Sequence, residues 1–163
     1  VWHRVGKELA GAAYTTPLGT VVAIASPWGL RSLSFELEDL QQAEQLSNPV
    51  LGTVGVWLGT YFAGKFADLP EIALDLPDRA SNPVWRAAQQ IPVGRTLTYG
   101  QLADQLGRSA GSARAIGAAM ASNPVLLVVP CHRVVAATGS LAGYRGGVER
   151  KAWLLRHEGA LLL

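Results

Sequence analysis

The first part of the chain alternates short apolar stretches with turn-forming residues. Residues 20–25 are β-branched and apolar, and residues 30–37 alternate apolar with polar side chains, as a half-buried strand does. Proline and glycine at 17–19 and 26–29 bound these segments. The pattern therefore predicts an antiparallel hairpin.

A helix and an extended linker are predicted next. Apolar residues recur at helical spacing over residues 50–63, and Gly64 follows them, which is typical of a helix and its end. Residues 70–83 contain three prolines with Asp and Asn. That composition favours an extended linker between the two parts of the chain.

The second part of the chain is predicted to be mainly helical. Glycine or proline flanks each apolar-periodic segment; the segments are 83–90, 99–106, 112–122 and 150–157. Ser109 and Ser112 are both candidate N-caps of the third helix. The second and third helices, joined by a glycine-containing turn, resemble a helix-turn-helix.

The helix over residues 113–121 is built almost entirely of small side chains. It reads Ala-Arg-Ala-Ile-Gly-Ala-Ala-Met-Ala, whereas a core helix normally uses bulkier residues. Small residues would let its backbone approach a large partner, with Arg114 reaching forward. Tight packing against another helix, with Arg114 at the surface, is an equally good interpretation.

Charge is distributed unevenly along a chain whose total is only +2. Residues 1–80 hold five basic and nine acidic residues, a net of −4, and residues 81–163 hold nine and three, a net of +6. A basic half indicates contact with a polyanion, although a solvated cationic face would look the same.

Composition limits the other classes of protein. At 163 residues, 49% hydrophobic and 16% charged, the chain suits one compact unit or two small domains. Its apolar runs are too short for a membrane span, and no secretory signal is visible. A single cysteine favours a reducing, cytoplasmic setting. The sequence has no Cys/His cluster at ligand spacing, so it does not predict a metal site.

That single cysteine is the candidate for chemistry. An apolar run, residues 125–129, predicts a strand that ends at Pro130, and Cys131-His132-Arg133 follows. A thiol beside His and Arg lies where its thiolate is favoured, and His132 could be its base. Either Glu158 or Glu149 could orient the imidazole. The alternative is an inert buried cysteine.

Motifs over the second half resemble the O6-alkylguanine-DNA alkyltransferases. Pro130-Cys131-His132-Arg133-Val134 is the centre of the resemblance, and the other segments occur in the family's order: 91–94, 98–103, 113–117, 123–124, 143–147 and 151–159. In the first half the resemblance rests on Pro17-Leu18-Gly19 and the helix end at 61–64.

The resemblance implies an α/β (α+β) fold in two domains. Residues 1–76 would form a small ribonuclease-H-like domain with an antiparallel sheet and a helix. Residues 77–163 would form a helical domain with a winged helix-turn-helix that binds DNA and transfers the alkyl group.

The implied function is direct-reversal DNA repair without a cofactor. The partner would be double-stranded DNA bearing O6-alkylguanine, with O4-alkylthymine a poorer substrate. The chain would act as a monomer without a required protein partner, with cooperative assembly on DNA conceivable. The flipped base would give its alkyl group irreversibly to Cys131.

Five catalytic residues follow from the resemblance. Cys131 would be the nucleophile, His132 the base acting through a water, and Glu158 the group that orients it. Tyr99 would protonate the leaving guanine, and Asn123 would brace the site. From the residues alone, an ordinary turn aromatic is the favoured interpretation of Tyr99, and Asn123 could simply be a helix stop before Pro124.

The resemblance also implies a DNA surface and a substrate pocket. Arg114 would occupy the space vacated by the flipped base, and its helix would enter the minor groove. The other expected DNA-contacting residues are Ser112, Ala113, Ala115, Gly117, Ala118, Met120, Arg95 and Arg108, while Arg133 is expected to be structural. Val134, Tyr144, Arg145 and Met120 would line the pocket, although many members have Ser at the position of Arg145.

Two other classes of function remain open at this point. A module that recognises alkylated bases without removing them would need no nucleophile, and relatives of that kind carry Trp where this chain has Cys131. A cysteine hydrolase would release many products per protein molecule.

Overall fold

In the computed structural model of the protein, residues 8–44, 47–76, 82–141 and 143–160 are described. The chain divides into two compact units, Val1–Pro77 and Asp78–Leu163. The domain boundary expected between residues 76 and 77 falls at the edge of residues outside the described ranges and stays a prediction.

The first unit is a three-stranded antiparallel sheet with one long helix. Its strands β1 (Ala10–Thr16), β2 (Gly19–Ser26) and β3 (Gly29–Ser34) follow chain order, and helix α1 (Pro49–Phe62) contacts all three. The predicted hairpin and helix are therefore confirmed. The strand predicted over residues 30–37 is β3, which ends earlier than expected, at Ser34; Leu37–Gln42 form a 3₁₀ helix instead.

Part of the expected linker is instead attached to this sheet. Leu30 donates its backbone N–H to Ala73 (2.8 Å) and accepts one from Asp75 (2.9 Å). A Cβ at Gly29 would lie 2.7 Å from the Ala73 carbonyl oxygen, so this close approach requires glycine. The linker prediction is wrong for residues 73–75, and residues 77–81 lie outside the described part of the chain.

The second unit contains the four predicted helices and a short parallel strand pair. The helices are α2 (Asn82–Gln89), α3 (Tyr99–Gln105), α4 (Ala113–Ala121) and α5 (Val148–His157). Strand β4 (Leu97–Thr98) pairs with β5 (Val134–Val135). This pairing brings the start of α3, at Tyr99, beside the segment that follows Cys131.

Helices α3 and α4 contact each other, and α2 contacts both. Trp85 of α2 donates its indole N–H to the Ala119 carbonyl of α4 at 2.8 Å. Ser112 is the N-cap of α4 by position, but its side chain makes no capping hydrogen bond. The mixed α/β class is confirmed, while the winged helix-turn-helix stays a prediction.

The strand predicted over residues 125–129 is not formed. The segment is a buried turn in which Leu127 has φ of 70° and Val129 donates its N–H to the Val125 carbonyl at 3.1 Å. Hydrophobicity alone cannot distinguish a buried strand from another buried segment. Here Asn123 satisfies the Val125 N–H and the Val129 carbonyl, and further backbone groups pair within the turn, so no neighbouring strand is needed for them.

No helix within the described ranges is long and apolar enough to cross a membrane.

The start of α3 gives a test of local stability. Thr98 Oγ1 accepts the Gln101 N–H at 3.1 Å, and Gln101 Oε1 accepts the Thr98 N–H at 2.9 Å, a capping box. We expect Thr98→Ala to lower the free energy of unfolding by about 1 kcal/mol, measured by urea denaturation. Thr96→Ala, at an exposed position two residues earlier, is the matched control; an equal loss in both variants would contradict the capping role.

Candidate active site around Cys131

Cys131 lies at the start of a buried 3₁₀ turn. Cys131, His132 and Arg133 are 4%, 0% and 7% exposed. Because a 3₁₀ helix has three residues per turn, consecutive side chains point in different directions. The thiol, the imidazole and the guanidinium therefore have different neighbours.

Asn123 connects the thiol to the buried turn before it. Its Nδ2 lies 3.2 Å from Cys131 Sγ and donates to the Val129 carbonyl at 2.9 Å, while its Oδ1 accepts the Val125 N–H at 2.9 Å. The side chain is fully buried. Asn123 therefore does more than end a helix, since it fixes the backbone leading to Cys131 and supplies a donor to its sulfur.

Glu158 is the carboxylate that holds His132. Its Oε2 lies 2.7 Å from His132 Nε2. Arg133 donates from Nε to Oε1 (2.7 Å) and from Nη2 to Oε2 (3.1 Å). Arg133 Nη1 also donates to the Ile91 carbonyl at 2.7 Å, which fits the structural role expected of this residue. Glu149, the alternative left open by the sequence, is exposed in the first turn of α5.

Burial and partners shift the pKa values of this pair. Burial lowers the pKa of His132, against the opposing effect of Glu158. Burial alone would raise the pKa of Glu158, but its hydrogen bonds with His132 and Arg133, together with the charge of Arg133, lower it to about 2. Since Glu158 is a carboxylate, His132 donates through Nε2–H and keeps Nδ1 as its basic nitrogen.

Lys151 is a buried cation that sequence reasoning did not select. It is 1% exposed, and its Nζ donates to the Val134 carbonyl at 2.8 Å. It lies on the face of α5 that also carries Leu154, Leu155 and Glu158, all buried. Two charged residues on the apolar face of a helix are a signal that helical spacing alone could have identified.

The pKa of Cys131 departs from the expectation. Burial raises it to about 11, and Asn123, Lys151 and Arg145 only partly oppose this. The expectation of a resident thiolate is therefore wrong. His132 is uncharged and Arg133 is bonded to Glu158, so neither sequence neighbour supplies a cation to the sulfur.

Two buried polar atoms near the thiol, His132 Nδ1 and Tyr144 Oη, have no hydrogen-bond partner among the described residues. The two rings meet edge to face, with centroids 6.4 Å apart. Burial is the main cause that raises the pKa of Tyr144 well above its usual value, and a negative charge on Cys131 raises it further. Such atoms call for a polar partner, which a water or a substrate could supply.

Tyr99 lies near both the thiol and α4. Burial and then a charge on Cys131 raise its pKa, and a Cβ added to Gly117 would lie 3.9 Å from its ring. The other predicted pocket residues differ in setting. Val134 is buried and its carbonyl is bonded to Lys151, whereas Arg145 is exposed.

Most of the predicted DNA-contacting residues lie at the surface. Arg95, Arg108, Arg114, Ala115 and Ala118 are exposed, and Ser112, Ala113 and Gly117 are half-buried. Met120 is 4% exposed, on the inner side of α4. A groove contact from Met120 would require it to leave the core, because that side of the helix packs inward.

No cluster of three His, Cys, Asp or Glu side chains that could hold a metal ion occurs within the described residues.

The chain is similar to known proteins in sequence. The family model described as "6-O-methylguanine DNA methyltransferase, DNA binding domain" matches residues 80–160. The methylated-DNA–protein-cysteine methyltransferase of Salmonella typhimurium is 42% identical, over 91% of this chain and 94% of that protein.

Solved structures are similar over nearly the whole chain. The O6-methylguanine methyltransferase of Mycobacterium tuberculosis is 32% identical with a TM-score of 0.81, over 95% of each chain. M. tuberculosis OGT in complex with DNA is 34% identical with a TM-score of 0.82, over 93% of each chain. The chain therefore belongs to the methylated-DNA–protein-cysteine methyltransferase family.

Proposed function

We propose that this chain repairs DNA by moving an alkyl group from the O6 of guanine to Sγ of Cys131, once per molecule. The observation that carries the proposal is the buried cluster in which Asn123 contacts the thiol and Glu158 holds the adjacent His132. A nucleophile, a base and a group that orients the base are the parts such a transfer requires.

The proposed step begins from a neutral thiol. A water between Sγ and His132 Nδ1 carries the thiol proton to the imidazole, and Glu158 stabilises the resulting cation. The thiolate attacks the alkyl carbon, forming a C–S bond as the C–O6 bond breaks. Its electron pair leaves with guanine, which Tyr99 protonates. His132 then releases the thiol proton and the Tyr99 phenolate regains one from solvent, so the net step moves one proton from the thiol to guanine. The thioether left on Cys131 cannot turn over.

Burial of the thiol bears on how DNA would reach it. With Cys131 only 4% exposed, a base stacked in a duplex cannot contact Sγ. Extrusion of the nucleotide solves this problem. We therefore include base flipping in the proposal, with α4 in the minor groove and Arg114 in the vacated space.

Recognition of the base is assigned to the pocket residues. The Cys131 and Val134 carbonyls would accept hydrogen bonds from the guanine amino group, and Tyr144 would line the pocket. Preference for O6-alkylguanine over O4-alkylthymine would follow, because thymine lacks that amino group.

The direct test is mass spectrometry after mixing with a duplex that contains O6-methylguanine. We expect one added methyl, on Cys131, with product equal to protein. Cys131→Ala should bind the duplex and leave the lesion intact, since it removes the nucleophile and little surface. Unmodified wild-type protein that still binds the lesion would support a recognition module, and several products per molecule would support a hydrolase; either result would sink the proposal.

The relay predicts a particular pH dependence. Neutral His132 is the base and burial lowers its pKa, so the rate constant for free O6-benzylguanine should hold down to about pH 6.5 and fall only below it. Glu158→Gln removes the carboxylate that raises the pKa of His132. We therefore expect a rate at least about tenfold lower and an acid limb at lower pH.

Glu149→Gln, at an exposed position of the same helix, is the matched control and should keep the wild-type profile. Near-ultraviolet circular dichroism at the assay temperature checks that Glu158→Gln is folded, because the change leaves Arg133 without its buried partner. An unshifted acid limb would show that Glu158 is only structural.

Arg114 separates base flipping from chemistry. We expect Arg114→Ala to slow repair of O6-methylguanine in a duplex by about tenfold or more, because the vacated space is no longer filled. Reaction with free O6-benzylguanine should stay near the wild-type rate, since no base has to be extruded. Equal losses with both substrates would argue against a role in flipping.

A further inference from the structure

Arg145 occupies the tip of a short loop beside the site. We call residues 143–147 the pocket loop; its turn closes where Gly147 donates its N–H to the Tyr144 carbonyl at 3.0 Å. Gly143 and Gly147 have φ of 91° and 94°, which favours glycine at both ends. Tyr144 and Gly146 are buried, whereas Arg145 is exposed. The Arg145 side chain therefore lies outside the buried part of the loop.

That side chain is anchored on another segment. Arg145 Nη1 donates to the Asn123 carbonyl at 2.8 Å. Asn123 directly follows Ser122, the C-cap of α4, and the last turn of α4 has no basic residue of its own. A cation here interacts favourably with the negative end of the helix dipole. Arg145 therefore joins the pocket loop to the end of the proposed DNA-contacting helix.

The residue it contacts also contacts the nucleophile. Asn123 accepts from Arg145 through its carbonyl and lies 3.2 Å from Cys131 Sγ through Nδ2. One residue thus connects the guanidinium with the sulfur. The charge of Arg145 also favours the thiolate, since it is one of the groups that lower the pKa of Cys131.

We propose that Arg145 is a positioning and specificity-determining residue for alkyl transfer. It holds the pocket loop against Asn123, which keeps Tyr144 in its buried place and limits the space for the alkyl group beside Cys131. While the hydrogen bond from Arg145 to the Asn123 carbonyl is intact, transfer of small alkyl groups is favoured over transfer of bulky ones. The inference rests on the proposed transfer to Cys131.

The test compares two lesions in one DNA sequence, so that any change in DNA affinity cancels from their ratio. Duplexes bearing O6-methylguanine and O6-benzylguanine are mixed with excess protein, and single-turnover rate constants are measured at neutral pH. The proteins are wild type, Arg145→Ser, Arg145→Lys and Arg156→Ser. Arg156 is exposed on α5, so its replacement removes the same charge from the same unit.

For Arg145→Ser we expect methyl transfer about tenfold slower and a benzyl-to-methyl ratio of rate constants at least about threefold higher. The slower transfer follows from loss of the cation, and the higher ratio follows from loss of the contact that holds the pocket loop against Asn123. Arg145→Lys keeps the charge but not the planar shape of the guanidinium, so its methyl-transfer rate should lie nearer to wild type while its ratio rises. Arg156→Ser should match wild type in both rate and ratio.

The inference is overturned if Arg145→Ser has the wild-type ratio, whatever its rate, because the loop then does not limit alkyl size. It is also overturned if Arg156→Ser changes the ratio equally. Wild-type protein that is not alkylated on Cys131 would instead overturn the proposed function, and the two failures are therefore distinguishable.

Discussion

The Glu158 carboxylate joins three segments that are distant in sequence. It closes α5, accepts from His132 and Arg133 of the Cys131 turn, and through Arg133 is linked to the Ile91 carbonyl after α2. A buried carboxylate is costly unless its oxygens are paired and hydrogen-bonded. Both oxygens of Glu158 have partners, so the cost of burial is offset only when the turn and the helix are in place together. The imidazole is thereby fixed in orientation and in tautomer.

Burial of Cys131 keeps its thiol unreactive before a substrate binds. With a pKa of about 11, the Cys131 thiol is almost wholly protonated near neutral pH. A protonated, buried thiol resists stray alkylation and oxidation, which matters for a protein that would be consumed by one reaction. Lys151 and Arg145 favour the thiolate without making it the resting form. In the proposed mechanism, reactivity comes from His132 and the bound substrate together and not from a permanently charged sulfur.

Sequence patterns identified the hairpin, α1 and all four helices of the second unit, since each has regular apolar spacing and a glycine or proline boundary. They failed where tertiary contacts decide. Residues 125–129 are as apolar as a strand, yet they form a turn in which Asn123 satisfies the backbone groups at its two ends. The expectation of a thiolate treated sequence neighbours as spatial neighbours, whereas Arg133 points to Glu158. The choice of Glu158 over Glu149 and the burial of Lys151 were both accessible, because Lys151, Leu154, Leu155 and Glu158 share one helical face.

Helix α4 shows that two alternatives left open by its sequence are compatible. On the inner side, Ile116, Ala119 and Met120 are buried, and Trp85 reaches the Ala119 carbonyl. Small residues there are explained by close packing.

On the outer side, Ala115 and Ala118 are exposed beside Arg114, and packing within the unit does not account for their size. Alanine is the best helix former, but on an exposed face its advantage over Lys or Glu is well under about 1 kcal/mol, and these longer side chains would improve solubility. In the proposed function, close approach to DNA would account for it, since bulky or acidic side chains would hold the helix away from a narrow groove. The outer face of α4 is therefore where the fold and the proposed function make different demands on sequence.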